Sequence, residues 1–450
     1  MAVLSFLDRE RSIAAPGYSR WLVPPAALAI HLCIGQAYAF SVFKTPLTQL
    51  IGIKAPAPED WKMSSLAWIF SIALGMLGLS AAMFGKWLEK VGPRRAMAAA
   101  TACFSGGFFI AALGVKLHVL ALVYLGYGFL GGIGLGLGYI SPVSTLIKWF
   151  PDRPGMATGM AIMGFGGGAM IGAPLSTLLM RLFQSPTSMG VIETFLSMGA
   201  IYGAFMIFGV VTVRIPSPGW KPEGYVPSAQ TKKLVTSANV DVENAWKTPQ
   251  FWQLWIVLCV NVTAGIGILE HAAPMIRDMF PNKITTDSAT GFVGLLSLFN
   301  LVGRFFWSSL SDLLGRKGTY LIYLLLGCVL YASLPTVGRS GSVVLFVAST
   351  CLILSMYGGG FATIPAYLRD LFGTMHVSAI HGRLLTAWST AAVLGPVLVN
   401  YIRDFELKRG VPKAEAYSVT LYIMAGLLFV GLVSNALVSP VDPKHHHQET

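Results

Sequence analysis

The residues best placed to do chemistry are Asn300 and Arg304, inside the stretch Ser297 to Lys317, SLFNLVGRFFWSSLSDLLGRK. Four residues apart, they share one face of a helix, where the amide can brace the guanidinium or add a hydrogen bond of its own. A guanidinium presents a planar fork of N–H donors that matches a carboxylate through two parallel hydrogen bonds. Placing that charge in hydrocarbon costs about 2.5–3.5 kcal/mol on insertion scales. An arginine there either faces a cavity and binds an anion, or snorkels toward the headgroups on the side of Asp312, about 12 Å away at 1.5 Å per residue. His31 is the second ionisable group expected near midplane depth, as a packed, hydrogen-bonded side chain or as a proton carrier. Tyr38 lies two helical turns further on and is expected on the same face, with Gln36 and Ser41 nearby. Tyr139, Tyr357 and Trp388 fall where aromatic rings either wall a cavity or pack between helices. Glu270-His271 closes an apolar run, as boundary residues or as an outer gate.

These residues need a membrane-spanning frame, and the composition supplies one. Of 450 residues, 54% are hydrophobic and 12% charged, with a mean hydropathy of +0.64; soluble domains carry about 25% charged residues. Apolar runs of about 20 residues, each long enough to cross hydrocarbon, recur along the chain. Twelve spans are expected, at 21–43, 64–84, 96–115, 119–141, 157–179, 191–213, 251–273, 289–310, 319–336, 342–367, 379–402 and 416–438. The runs do not alternate, which excludes a β-barrel. The fold class is therefore an all-α polytopic membrane protein. Its expected organisation is a cytoplasmic segment 1–20, a six-helix half 21–213, a linker 214–250, a second half 251–438 and a cytoplasmic tail 439–450. With both termini inside, 19 of the 32 basic residues lie on the cytoplasmic side and 12 outside, the sense of the positive-inside rule. The first span reads as an uncleaved insertion signal.

Other chemistries find no support. The five cysteines all lie in apolar runs and read as small buried hydrophobes, not as disulfides or metal ligands. Gly134-Leu-Gly136-Leu-Gly138 follows no strand and so is no nucleotide loop; the Gly128, Gly132, Gly136 spacing suits close helix approach. Gly164 to Pro174 reads as a flexible or a tightly packed fifth span. No metal spacing, nucleophile–base arrangement or nucleic-acid patch is present. His445-His446-His447 reads as a disordered tail with no native metal site. An enzyme, a cofactor and a nucleic-acid partner are not expected.

An internal repeat organises the spans. GKWLEKVGPRR after the second span and SSLSDLLGRK after the eighth both place an acid (Glu89, Asp312), then a glycine, then basic residues (Arg94, Arg316), in the turn between two spans. Two such loops half a chain apart indicate two six-span halves of like orientation. They resemble the cytoplasmic signature of the major facilitator superfamily, G-x-L-x-D-R-x-G-R-R/K, with Glu89 in place of its aspartate in the first copy and Ser308 in place of its first glycine in the second. Within it the chain resembles the oxalate/formate antiporter family, through GQAYAFSVF (35–43), GLGLGYISPVSTLIKWFPDRPGMATG (134–159), PSPGWKPEGY (216–225), TPQFWQLWIVLCVNVTAGIGILEHAAPM (248–275), GGGFATIPAYLRDLFG (358–373) and TAWSTAAVLGP (386–396).

The resemblance implies a secondary carrier of small carboxylates working by alternating access, with Arg304 as the carboxylate-binding residue and tyrosines near Tyr139 and Tyr357 lining the site. Trp388 aligns with a span-eleven lysine that the oxalate-exchanging members use, and Asn300 stands where related monocarboxylate transporters place an acid. One cationic site suits a monoanion such as formate, lactate or pyruvate, by proton symport or anion exchange. The competing expectations are an oxalate/formate exchanger, with Arg304 alone or with Lys44 or Arg383, and a carboxylate sensor without turnover. The loops Glu89/Arg94 and Asp312/Arg316 are expected to hold salt bridges that gate the carrier. The other partner is the lipid bilayer, in the cell (inner) membrane, and the protein is expected to function as a monomer.

Overall fold

The computed structural model describes residues 5–225, 234–236 and 238–447, apart from the side chains of Glu270, Thr286 and Asp287. Among the described residues the regular elements are helices, with isolated β-bridges and no ladder. Twelve helices are long and apolar enough to cross a membrane. Spans one to six run Arg20–Ala39, Met63–Val91, Pro93–Lys116, Leu120–Trp149, Pro154–Phe183 and Val191–Thr212. Spans seven to twelve run Pro249–Leu269, Ser288–Leu314, Arg316–Arg339, Val343–Phe372, Val377–Lys408 and Ser418–Ala436. Their outer faces expose large apolar side chains such as Met83, Leu182, Phe205, Leu325 and Val344, a surface that fits hydrocarbon in place of water. The protein is thus a multi-pass membrane protein of twelve spans.

Three spans are less regular than hydropathy alone foretells. Span one is α-helical over Pro24–Ile34, tightens to a 3-10 turn over Gly35–Ala39 and resumes over Ser41–Leu47. A Cβ on Gly35 would lie 2.4 Å from the Phe165 carbonyl oxygen of span five, so the absence of a side chain is what lets these two backbones touch. Gly168 meets Gly35 from the other side, its Cβ position 2.5 Å from the Gly35 Cα. The glycine run of span five is therefore a packing surface. Span four contains a π-helical stretch, Tyr124–Leu130, and span eleven is broken at Leu385 into Val377–Leu384 and Thr386–Lys408.

The chain divides into two compact units. One comprises Met1–Asp152, Met160–Val226 and His376–Ser389; the other comprises Arg153–Gly159, Pro227–Met375 and Thr390–Thr450. The short helix Val377–Leu384 therefore belongs with the first unit, against span two, and the start of span five belongs with the second. The five cysteines are free thiols, buried or half-buried.

Candidate functional site

In the second unit, spans eight and ten pack face to face and carry the arginine between them. Arg304 is fully buried, and its Nε donates to Asn300 Oδ1 at 3.1 Å. The helical spacing of four residues produces this brace directly. The guanidinium carbon lies 5.3 Å from the ring centre of Phe361, within cation–π range. Phe361 in turn meets Tyr357 edge-on at 5.2 Å. The backbone of span ten comes close because it lacks side chains at Gly358: a Cβ there would lie 2.3 Å from Asn300 O, 2.6 Å from Asn300 Oδ1 and 3.0 Å from Arg304 Cγ. Arginine, amide and ring are thus fixed together, with Nε committed to a neutral partner. The Nη pair is the part of the group that matches a carboxylate.

The first unit holds a second cluster around Tyr139. His31 stacks on Tyr139 at 5.3 Å, and Trp388 meets the same ring at 5.3 Å. Phe165 touches Tyr139, Tyr38 and Trp388 at 5.5, 5.2 and 5.3 Å. Tyr38 and Trp388 are 6.5 Å apart. The 3-10 turn changes the phase of span one, so Tyr38 does not repeat the direction of His31 by helical periodicity; both still converge on the Tyr139–Phe165 pair. Gln36 does not join them. Its amide accepts from Tyr202 OH at 3.1 Å and donates to Ser176 Oγ at 3.5 Å, tying span one to spans five and six.

The two signature loops share one device. Asp312 accepts from the backbone N–H groups of Gly155 and Met156, each at 2.9 Å, at the first turn of span five. Glu89 accepts from the Ala379 N–H at 3.2 Å, at the first turn of Val377–Leu384. A carboxylate there satisfies orphan donors and meets the positive end of the helix dipole. Asp312 also pairs with Arg316 at 2.6 Å, as expected. Glu89 and Arg94 do not form the expected pair. Glu89 bonds His376 Nδ1 at 3.0 Å, while Arg94 donates to the carbonyls of Phe6 and Arg11 at 3.1 and 2.9 Å and covers the Phe6 ring. The N-terminal segment, not the loop acid, takes the Nη1 of that arginine.

At the other ends of the spans, His271 Nε2 bonds Asn400 Oδ1 at 2.9 Å; the side chain of Glu270 lies outside the described residues. The tail is not disordered up to His447, whose ring bonds Asp241 at 3.0 Å and whose N–H donates to Asn239 O at 2.7 Å. Among the described residues no cluster has the makings of a metal site.

A family model described as Major Facilitator Superfamily matches residues 26–280 and 279–450. The chain belongs to that superfamily. It is 25% identical to the oxalate:formate antiporter of Oxalobacter formigenes over 84% of this chain and 83% of that protein. It is 27% identical to human monocarboxylate transporter 11, over 85% of this chain and 77% of that one. Among solved structures, the proton:xylose symporter XylE superposes with a TM-score of 0.68 at 16% identity, covering 92% of this chain and 94% of its own, which gives the fold alone. This major facilitator protein is a membrane transporter and not an enzyme.

Two participants were not legible in this facilitator's sequence. Phe361 lies four residues after Tyr357 and is one of 26 phenylalanines; only its place under Arg304 singles it out. His381 is buried, its ring 5.9 Å from Tyr139. It is the second histidine of the run HVSAIHGRLL, five residues after His376, and residue type alone did not single it out.

Proposed function

We propose that this transporter carries a small monocarboxylate, of the formate, lactate or pyruvate kind, across the cell (inner) membrane by alternating access. The observation that carries the reading is Arg304: a fully buried arginine in a membrane span, held through Nε by the neutral amide of Asn300 and backed by an aromatic ring. The cost of placing that charge is offset when a carboxylate binds the guanidinium fork. The names of the relatives above, which include oxalate as well as formate and monocarboxylates, support the coarser class of small carboxylates. Tyr357, Tyr38, Tyr139 and Trp388 are the proposed aromatic contacts, and Asn300 the brace. Gln36 has its amide engaged within its own unit, which supports a structural role over substrate contact. His31 is the proposed proton-coupling residue. Glu89 and Asp312, as caps of helix starts, are the proposed gating elements, with Arg316 and Arg94 holding the loops around them.

We further propose that the halves 21–213 and 251–438 are the moving bodies, joined by the linker 214–250, that both termini are cytoplasmic, and that the protein works as a monomer. Trp388, an apolar ring where oxalate exchange uses a lysine, favours a monoanion over oxalate. The test is counterflow in proteoliposomes across a carboxylate panel. Saturable exchange of monocarboxylates without competition by oxalate is expected. Strong oxalate competition would replace this choice with an oxalate/formate exchanger, and saturable binding without flux would make the protein a sensor.

A further inference from the structure

Asn261 on span seven stands apart from the other buried amides. Five asparagines and glutamines are buried among the described residues: Gln36, Gln250, Asn261, Asn300 and Asn435. Gln36, Gln250, Asn300 and Asn435 each bond a neighbour. The Nδ2 of Asn261, a residue only 7% exposed, has no hydrogen-bond partner among the described residues. A buried amide left unpaired is costly, so an unpaired buried donor points to a ligand. The packing of span ten places it beside the arginine. A Cβ on Gly360 would lie 2.4 Å from Asn261 Nδ2, so this glycine makes room for the amide. One turn along span seven, on the same face, a Cβ on Gly265 would lie 2.1 Å from Tyr357 Cδ2. On span ten, Gly360, Tyr357, Phe361 and Gly358 follow one another around the helix within about 160°, at about 100° per residue. Gly358 is the residue that faces Asn300 and Arg304. Asn261 and Arg304 therefore stand on the two flanks of one aromatic face, Tyr357 and Phe361, with the guanidinium over the Phe361 ring. All the residues of this face belong to the second unit.

We propose that Asn261 selects the substrate of the carrier: its amide donates to an oxygen on the second carbon while Arg304 holds the carboxylate, so the transported species is a 2-oxo or 2-hydroxy monocarboxylate. The proposal rests on the reading of Arg304 as the carboxylate site and deepens it by naming the class. The amide suits either oxygen. A 2-oxo oxygen accepts from Nδ2, and a 2-hydroxyl accepts from Nδ2 and donates to Oδ1. A carboxylate and an oxygen on the next carbon are adjacent groups of one short acid. A cation on one flank and a neutral donor on the other match their order of charge, and the rings between them wall the remaining apolar carbon. Formate has no second carbon, and acetate and propionate carry no oxygen there, so each leaves the amide unpaired. Discrimination of this kind is strong because the penalty falls on a buried polar group. Oxalate would set a second negative charge where span seven offers a neutral amide, which is a poorer match than a 2-oxo or 2-hydroxy oxygen.

The test uses the full-length protein in proteoliposomes, with labelled lactate in counterflow and unlabelled acids as competitors in two matched pairs. Pyruvate differs from propionate by the oxygen on the second carbon, and in isobutyrate a methyl group replaces the hydroxyl of lactate. Wild type is expected to bind pyruvate and lactate about tenfold more tightly than propionate and isobutyrate. Asn261→Leu keeps the size of the side chain and removes its polar atoms. The members of each pair should then become nearly equal competitors, because pyruvate and lactate weaken more than propionate and isobutyrate. Gly360→Ala, which brings a methyl carbon within 2.4 Å of Nδ2, should reduce the same ratios by displacing the amide. Unchanged ratios in either variant, folded and in the membrane, would overturn the proposal. Should neither variant reach the membrane, the wild-type ratios decide: the stated preference supports the proposal, and equal competition within both pairs overturns it. Lactate exchange by wild type with no preference within either pair would overturn the proposal and leave carboxylate carriage standing. No exchange, and no competition by any of the four acids, would overturn both.

Discussion

Replacing Asn300 by aspartate is a one-atom change that addresses Arg304 directly. The amide oxygen accepts from Arg304 Nε at 3.1 Å, so Asn300→Asp would turn a neutral brace into an ion pair without altering shape. With charge centres about 4 Å apart and an effective dielectric of about 20, the attraction is roughly 4 kcal/mol. Desolvating the new carboxylate offsets part of that gain. A net handicap of about 1.4–2.8 kcal/mol against an incoming carboxylate is a reasonable expectation, and it corresponds to a roughly 10–100-fold rise in the half-saturation concentration. Adding formate or pyruvate over a wide concentration range in counterflow measures this. An Asn300→Asp protein with normal membrane levels and an unchanged half-saturation concentration would refute the assignment of Arg304 as the anion site.

Other consequences follow from the packing and the loops. Gly358→Ala places a methyl carbon 2.3 Å from Asn300 O and should cost stability typical of overpacking, about 1–3 kcal/mol, read as a lower denaturation midpoint. Gly426→Ala, with nothing within 4 Å of its Cβ, is the matched control and should be neutral. Glu89→Gln and Asp312→Asn each weaken a helix-start cap and should each cost about 0.5–2 kcal/mol of stability in thermal unfolding; no change in either would remove the capping role. In the loop between spans one and two, burial alone would push the Asp60 carboxyl up. The N–H groups of Ala57, Ile51 and Gly52, at 2.9, 2.9 and 3.0 Å, together with nearby His118, instead hold it below its usual range. Because the folded value is the lower one, this loop's added stability is present above about pH 4 and fades as pH falls through the folded value. Hydrogen-exchange protection of those three amides, corrected for intrinsic rates, should hold from pH 7 to about 4 and drop below it; Asp60→Asn should lack it throughout.

What could be read from the sequence was what depends on local periodicity. The apolar runs gave all twelve spans, and the four-residue spacing gave the Asn300–Arg304 bond that the structure contains. What escaped depends on contacts between distant segments. Arg316 follows its loop glycine directly, four residues after Asp312, and pairs with that acid; in the first loop Pro93 holds that place, and Arg94, one residue further on, bonds the carbonyls of Phe6 and Arg11 instead. His381 sits in a run, HVSAIHGRLL, whose polarity suggests a membrane rim. It is buried because span two is narrow where the short helix lies on it: a Cβ on Gly85 would be 2.6 Å from Ala379 Cα, and one on Gly382 would be 2.1 Å from Ala81 O. The turn at Gly35–Ala39 likewise comes from the touch of spans one and five, which no window of hydropathy records.

The most direct test of the central claim is counterflow of a labelled monocarboxylate by purified wild-type and Arg304→Ala protein reconstituted at equal density. Saturable exchange by wild type and none by Arg304→Ala, with the variant folded and in the membrane, is the predicted result. Exchange by Arg304→Ala at the wild-type rate and half-saturation concentration would contradict it.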